Sequence, residues 1–308
     1  MKKHITIFIL LCYSLCAILT QAQKVYKWDI GTRFGASNYL GDIGGKDKTR
    51  RTFILDMKLK KTHFVVGGTA RYKFNPKWAL NTQLNYAQIR GDDALSTNEG
   101  RMWRNLRFKN NILELTARGE YTFMESPDVG GRGYYKLEFA SFVHAGLTCF
   151  YHNPKGSLDG KTWHRLQPMK TEGVKYNKIG IGIPLGLGIL FTYEREHRFG
   201  IEFNWTSTFT DYLDDISGNY AYDPDDQSSL TASLANQSEE VVPPNEINNY
   251  LIDQKRGDPS HDDAYIFTTF TYSYILQEKN KFYKGRKGMG KRRMRKNISR
   301  RRTIKSKF

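Results

Sequence analysis

The chain has 308 residues, of which 39% are hydrophobic and 26% charged, with a formal net charge of +17 and only three cysteines. The length allows one large domain or two ordinary ones, and the three cysteines exclude a disulfide-stapled fold. The charge is unevenly placed: the segment 279–308 holds fifteen Lys and Arg and no acid, the first three residues hold two more Lys, and what remains has 31 basic against 31 acidic residues.

In chain order, Met1, Lys2, Lys3 and His4 precede an apolar stretch from Ile5 to Leu19 and then Thr20-Gln21-Ala22, with small residues at the −3 and −1 positions. This pattern predicts a secretory signal peptide over 1–22, since the stretch is shorter than the roughly 20 apolar residues of a spanning helix. Cys12 and Cys16 fall within it, so Cys149 alone remains in the body.

From there to residue 278 the recurring signal is alternation with period two, the mark of strands with one apolar and one polar face. Eight segments carry it. The first, about Lys24 to Asn38, places Tyr26, Trp28, Ile30 and Phe34 on one face; the second, His63 to Phe74, places Phe64, Val66, Ala70 and Tyr72. Trp78 to Ile89, about Asn105 to Phe123, Tyr135 to Phe150 and Lys178 to Tyr193 follow. The seventh is the plainest, with Phe199, Ile201, Phe203 and Trp205 separated by Gly200, Glu202 and Asn204, and the eighth runs from about Ala264 to Leu276. Each suits a tilted strand crossing a bilayer, and aromatic residues at the strand ends suit interfacial girdles.

The connections alternate as well. About 24 residues follow the first strand, then a turn at Asn75-Pro76-Lys77, then about 15, then Glu125 to Tyr134; about 27 residues, the turn Glu194 to His197 and a loop of about 50 complete the series. Long loops follow odd-numbered strands only. A soluble β-sandwich has no reason to show that parity, whereas an outer-membrane barrel has short periplasmic turns and long external loops. The predicted fold is therefore all-β: a transmembrane antiparallel up-and-down barrel of about eight strands over 23–278, followed by a basic tail over 279–308. Both termini are expected in the periplasm of an outer-membrane protein surrounded by lipid.

Inward positions collect both signs of charge: Asp29, Arg33, Arg71, Lys73, Glu114, Arg118, Glu120, Lys136, Glu138 and Glu202, with His144 among them. Eight strands enclose only enough space for side chains, so these residues are expected to form a structural plug of ion pairs. Ser141 and His144 fall on opposite faces and cannot meet as nucleophile and base. No Gly-x-Ser-x-Gly or His-Glu-x-x-His pattern occurs. Gly180, Gly182, Gly186 and Gly188 share the inner face of one strand and read as packing residues. The acidic run Asp211, Asp214, Asp215, Asp223, Asp225 and Asp226 has the oxygens that calcium takes but departs from the spacing of an EF-hand, so a hydrated surface loop is expected, with calcium binding as the alternative. No catalytic residue, metal site or cofactor is expected. In an exported chain the tail meets no nucleic acid; Lys291, Arg292, Arg293, Arg300, Arg301 and Arg302 are either a solvated extension or contacts to lipopolysaccharide, an acidic cell-wall polymer or an acidic protein face.

Several short motifs, taken in order, resemble PorG-like outer-membrane barrels of the Bacteroidetes type IX secretion system. They are Ser37-Asn38-Tyr39-Leu40-Gly41-Asp42, Arg71-Tyr72, Gly91-Asp92-Asp93, Arg104-Asn105-Leu106 with Phe108 and the region of Glu114, and Phe209-Thr210-Asp211-Tyr212-Leu213-Asp214-Asp215 with Tyr220. The resemblance implies a non-enzymatic role in contact with a periplasmic ring of secretion proteins. Its alternative is a generic small barrel that braces the envelope or binds surface ligands. A lipid-modifying enzyme ranks third.

Overall fold

The structure is a computed structural model that describes residues 27–45, 59–131, 136–221 and 229–276. Tyr26, the expected signal segment and the basic tail lie outside the described residues.

Eight antiparallel strands form the body: β1 (Trp28–Leu40), β2 (His63–Lys73), β3 (Trp78–Asp92), β4 (Arg107–Ser126), β5 (Leu137–Tyr151), β6 (Ile179–Tyr193), β7 (His197–Thr208) and β8 (Ala264–Leu276). Each pairs with its neighbours in sequence, and β1 also pairs with β8, so the sheet closes on itself. Phe34 faces Val66 on one side and Phe270 on the other. Closure leaves no strand edge with unpaired backbone groups, the condition a sheet must meet to stand in hydrocarbon.

The period-two pattern becomes an outer apolar belt. Trp28, Ile30, Phe34, Leu84, Leu115, Leu147, Ile181, Leu187 and Phe270 all point out of the barrel and are exposed. Aromatic contacts crowd the short-turn end, with Trp28 on Tyr72 and Trp78 on Tyr121, each at 4.9 Å between ring centres. Two of the short turns are built by local chemistry. Asn75 Oδ1 accepts from the backbone of Lys77 and Trp78, and Glu194 and Arg195 take the left-handed conformation (φ 51° and 59°) at the centre of a turn in which the Glu196 amide donates to the Tyr193 carbonyl (3.1 Å), three residues joining the paired Tyr193 and His197.

Strand ends differ modestly from expectation. β4 starts at Arg107 because Asn105 (φ 57°) is the left-handed cap of a short helix, α1 (Glu99–Arg104). Beyond β5 the chain continues as a ribbon, Pro154–Gly156 paired with β4 and His164–Arg165 paired with that. A bulge in β4 between Thr122 and Met124 shifts its register with β5.

The inner-face glycines of β6 make room for the large inward residues of β5. Gly180 lies opposite Phe150, Gly182 opposite Thr148, Gly186 opposite His144 and Gly188 opposite Phe142. At Gly186 an added Cβ would stand 2.0 Å from the carbonyl oxygen of Phe203 and 2.7 Å from the His144 ring. Neither the backbone nor a ring held in the lumen can yield that distance. Gly186→Ala is therefore expected to abolish the heat-modifiable folded band on a semi-native gel, whereas Ala145→Gly on the lipid face leaves it intact. A normal folded band for Gly186→Ala would show that the lumen is looser than this geometry requires.

Candidate functional site

The lumen is filled in two layers. Toward the short-turn end, fully buried charges form one network: Arg71 bonds both carboxylate oxygens of Glu120 (2.6 and 3.2 Å) and reaches Asp29 at 3.3 Å. Arg118 donates to Glu202 at 2.6 Å and Glu120 at 3.1 Å, Arg33 lies 3.3 Å from Glu202, and Arg198 is bonded to Asp29. His144 is held between Arg118 (3.2 Å) and Asn204 (2.9 Å). Glu114 sits one layer higher and accepts from Tyr265 (2.5 Å) and Asn85 (2.7 Å). With Glu114, four carboxylates face four guanidiniums, so the network is balanced in formal charge.

The remaining charges predicted for the lumen are peripheral. Lys73 and Glu138 are half-buried beside Arg198 at the short-turn mouth, and Glu138 pairs with the exposed Arg195 at 3.0 Å. Lys136 precedes β5 and is exposed, because the strand begins at Leu137, two residues later than its alternation suggests. Arg198 was not anticipated, although it holds Asp29 in place. Its even position on β7, shared with Glu202 and Asn204, is the signal that marks it as inward. Ser141 pairs with Ile189 on the face opposite His144, whose Nε2 is already engaged.

Toward the long-loop end the lumen is apolar. Val65, Ala87, Ile89, Phe108, Ile112, Phe150 and Phe267 point inward and close around Leu213 and Ile216, which the last long loop inserts from above. Each of those two side chains contributes about 1.5–3 kcal/mol by leaving water, enough to hold the loop down. The acidic segment expected to be a hydrated loop is thus buried: Asp214 and Asp215 are each 1% exposed and Asp211 8%. Asp223, Asp225 and Asp226 lie outside the described residues. No group of three or more His, Cys, Asp or Glu among the described residues is arranged to hold a metal.

Buried arginines tie the four long loops into one cap. Arg104 grips both oxygens of Asp93 (2.8 and 3.0 Å) and donates to the carbonyls of Asp42 and Arg256. Arg256 in turn reaches Glu172 at 2.9 Å and the carbonyl of Asp215 at 2.7 Å. At the centre, the Tyr39 hydroxyl lies 2.7 Å from Asp214 and 2.6 Å from Asp263, and accepts from the Asp42 amide at 3.0 Å. One phenol has one proton to give, so the second carboxyl must carry a proton of its own to make both contacts favourable. Burial, reinforced by Asp42, pushes Asp214 up to about 8. Burial and then Asp214 push Asp211 up to about 9 and Asp263 well above the carboxylate range, and burial lifts Asp215 to about 6 despite Arg256. Between α1 and the last loop the cap is cut by a cleft of about 500 Å³ lined by Asn98, Arg101, Trp103, Asn249, Tyr250 and Lys255, among others.

A closed eight-stranded barrel with an apolar belt, a filled lumen and a packed cap at its long-loop end has the architecture of an outer-membrane β-barrel. The chain belongs to the family described as a domain of unknown function, DUF6089, which matches residues 2–239. No curated protein matches it. Among solved structures it is similar to the N-terminal β-barrel domain of Pseudomonas aeruginosa OprF (10% identity, 82% of this chain and 98% of that one, TM-score 0.32). It is also similar to Neisserial surface protein A (8%, 81% and 97%, 0.32) and to the attachment invasion locus protein of Yersinia pestis (10%, 80% and 98%, 0.32). The barrel itself is defined by the closed register of its own strands.

Because these carboxyl groups have raised pKa values in the folded cap, the stability they contribute is complete below the ordinary aspartate pKa. It is lost as pH rises through about 6 to 9. Amide exchange over 211–217, corrected for intrinsic rate, should show protection that falls between pH 5 and pH 9 while β1–β8 stay protected. Tyr39→Phe, which leaves two carboxyls without their bridge, should weaken that protection at pH 7 by about 1–3 kcal/mol. Protection independent of pH would contradict a shared proton.

Proposed function

We propose that this protein is a non-enzymatic outer-membrane component of the type IX protein secretion machinery. Its long loops lie outside, both termini lie in the periplasm, and its periplasmic rim and basic tail contact the ring proteins of that machinery. The observation that carries this reading is the filled lumen: a barrel with no interior path acts through its surfaces. Support for the particular machinery is the ordered set of PorG-like motifs. Four of them supply residues to one cap: Tyr39 and Asp42, Asp93, Arg104, and Asp214 with Asp215. The fifteen positive charges of 279–308, including Lys291 to Arg293 and Arg300 to Arg302, suit an acidic face of a ring protein or cell-wall polymer and need no nucleic acid.

The second reading, a small barrel that binds surface ligands, is favoured by the cleft of about 500 Å³ between α1 and the last loop, which has the size and mixed polarity of a small-molecule site. Co-purification after mild detergent extraction separates the two. On the secretion reading, periplasmic ring proteins accompany the barrel, their recovery falls as salt rises, and deleting the gene abolishes export of folded cargo. Intact export in the deletion strain, with no ring protein recovered, would refute it in favour of the ligand-binding reading.

A further inference from the structure

A row of four cations crosses the outer wall just above the apolar belt. Arg90 on β3 stands directly opposite Lys109 on β4, Lys109 opposite Lys155 on the ribbon strand Pro154–Gly156, and Lys155 opposite Arg165 on His164–Arg165. Residues directly opposite one another in antiparallel strands project to the same face, and like charges so placed repel. With strands about 4.8 Å apart, four cations are lined up over about 14 Å. Among the described residues none of the four forms an ion pair with an acid. The nearest acid along β3, Asp92, is held by Lys61 at 2.9 Å. Asp159 in the ribbon loop is turned onto its own backbone, accepting from Lys161 and Thr162.

The face is the lipid-facing one. Along β3 the outward residues run Leu84, Tyr86, Gln88, Arg90, and along β4 they run Leu115, Leu113, Asn111, Lys109. Tyr86 and Leu113 are exposed members of the belt, and Gln88 donates to Asn111 at 2.7 Å as a polar rung between the belt and the cations. Trp163, next to the ribbon strand, lies under both cations, with Lys109 Nζ 4.3 Å and Arg90 Cζ 5.9 Å from its ring centre. A tryptophan at this height, with cations on its ring, matches the headgroup layer of a bilayer.

We propose that Arg90, Lys109, Lys155 and Arg165 bind the phosphate-bearing headgroup of an outer-leaflet glycolipid, with Trp163 holding two of the cations in place. An anion offsets the repulsion that the register builds in. The occupant is a lipid because the row continues the hydrocarbon belt upward, so a molecule whose chains lie on Leu84, Leu113 and Leu115 presents its phosphates to these side chains. The proposal rests on the long loops being outside, and on no role in secretion.

The test is titration of fluorescent lipopolysaccharide onto the full-length protein in zwitterionic detergent. Three forms are compared: the natural sequence, the variant R90Q/K109Q/K155Q/R165Q and the charge-conserving variant R90K/K109R/K155R/R165K. All four positions face outward, so the folded band on a semi-native gel should be unchanged, and the charge-conserving variant monitors any loss due to packing. The basic tail is common to all three, so differences report the row. The glutamine variant should bind at least tenfold more weakly and the charge-conserving one within about threefold of the natural protein. Enzymatically dephosphorylated lipopolysaccharide should bind the natural protein no better than the glutamine variant binds the intact lipid. Equal binding by the glutamine variant overturns the proposal. So does inorganic pyrophosphate that binds the natural protein as tightly as the lipid and loses that binding in the glutamine variant, because the row is then a soluble-phosphate site.

Discussion

The structure depends on the charge network that closes the lower lumen. Three buried arginines, Arg33, Arg71 and Arg118, converge on Glu202, while Arg71 and Arg118 share Glu120. Any one of these charges alone in a dry interior would be prohibitive, and removing one partner of such a set typically costs about 3–5 kcal/mol. Together they satisfy one another and bridge strands from around the barrel: β2 and β4 through Arg71 and Glu120, β4 and β7 through Arg118 and Glu202, and β7 back to β1 through Arg198 and Asp29. The outer surface contributes nothing comparable, since apolar side chains facing lipid gain little from one another. The network is both the lock of the closed sheet and the reason the barrel has no aqueous path.

The cap extends the same logic with different chemistry. Above the charges the lumen turns apolar, and Leu213 and Ile216 plug it as core residues plug a soluble domain. Segments that would otherwise be loose loops are drawn into a single body by Arg104 and Arg256, and the Tyr39 hydroxyl between Asp214 and Asp263 puts a proton at its centre. The cap is thereby one packed body at the long-loop end of a filled barrel. The cationic row lies on the wall just where the β4 ribbon leaves the belt.

Much of the barrel was legible because its signal is local. Period-two alternation, the parity of loop lengths and turn residues such as Asn75 each occupy a few consecutive positions, and β8 spans the residues expected of it. Lumen charges followed from alternation too, and the misplacement of Lys136 came from extending the pattern past the strand's end. The cap was illegible for the opposite reason. Asp211, Asp214 and Asp215 in a row read as a hydrated loop because their partners lie far off in sequence: Tyr39 is 175 residues from Asp214, and Thr171 and Tyr176 are 44 and 39 residues from Asp215. The apolar upper lumen was hidden for a related reason, since Val65, Phe150 and Phe267 break the polar-inward rule that Arg71, His144 and Thr269, Thr271 and Ser273 obey lower on the same strands. The cationic row is invisible until register is known, because its members come from four separate strands.

The lumen is filled by paired charges below and by apolar side chains above. Planar-bilayer recording of the purified, heat-modifiable protein tests it most directly. No steady conductance is expected at any moderate voltage in about 1 M salt, the regime in which even screened charges pass ions readily through an open barrel. A stable, ohmic conductance from the folded protein would mean that the network of Arg33, Arg71, Arg118, Glu120 and Glu202 lines a channel rather than closing one.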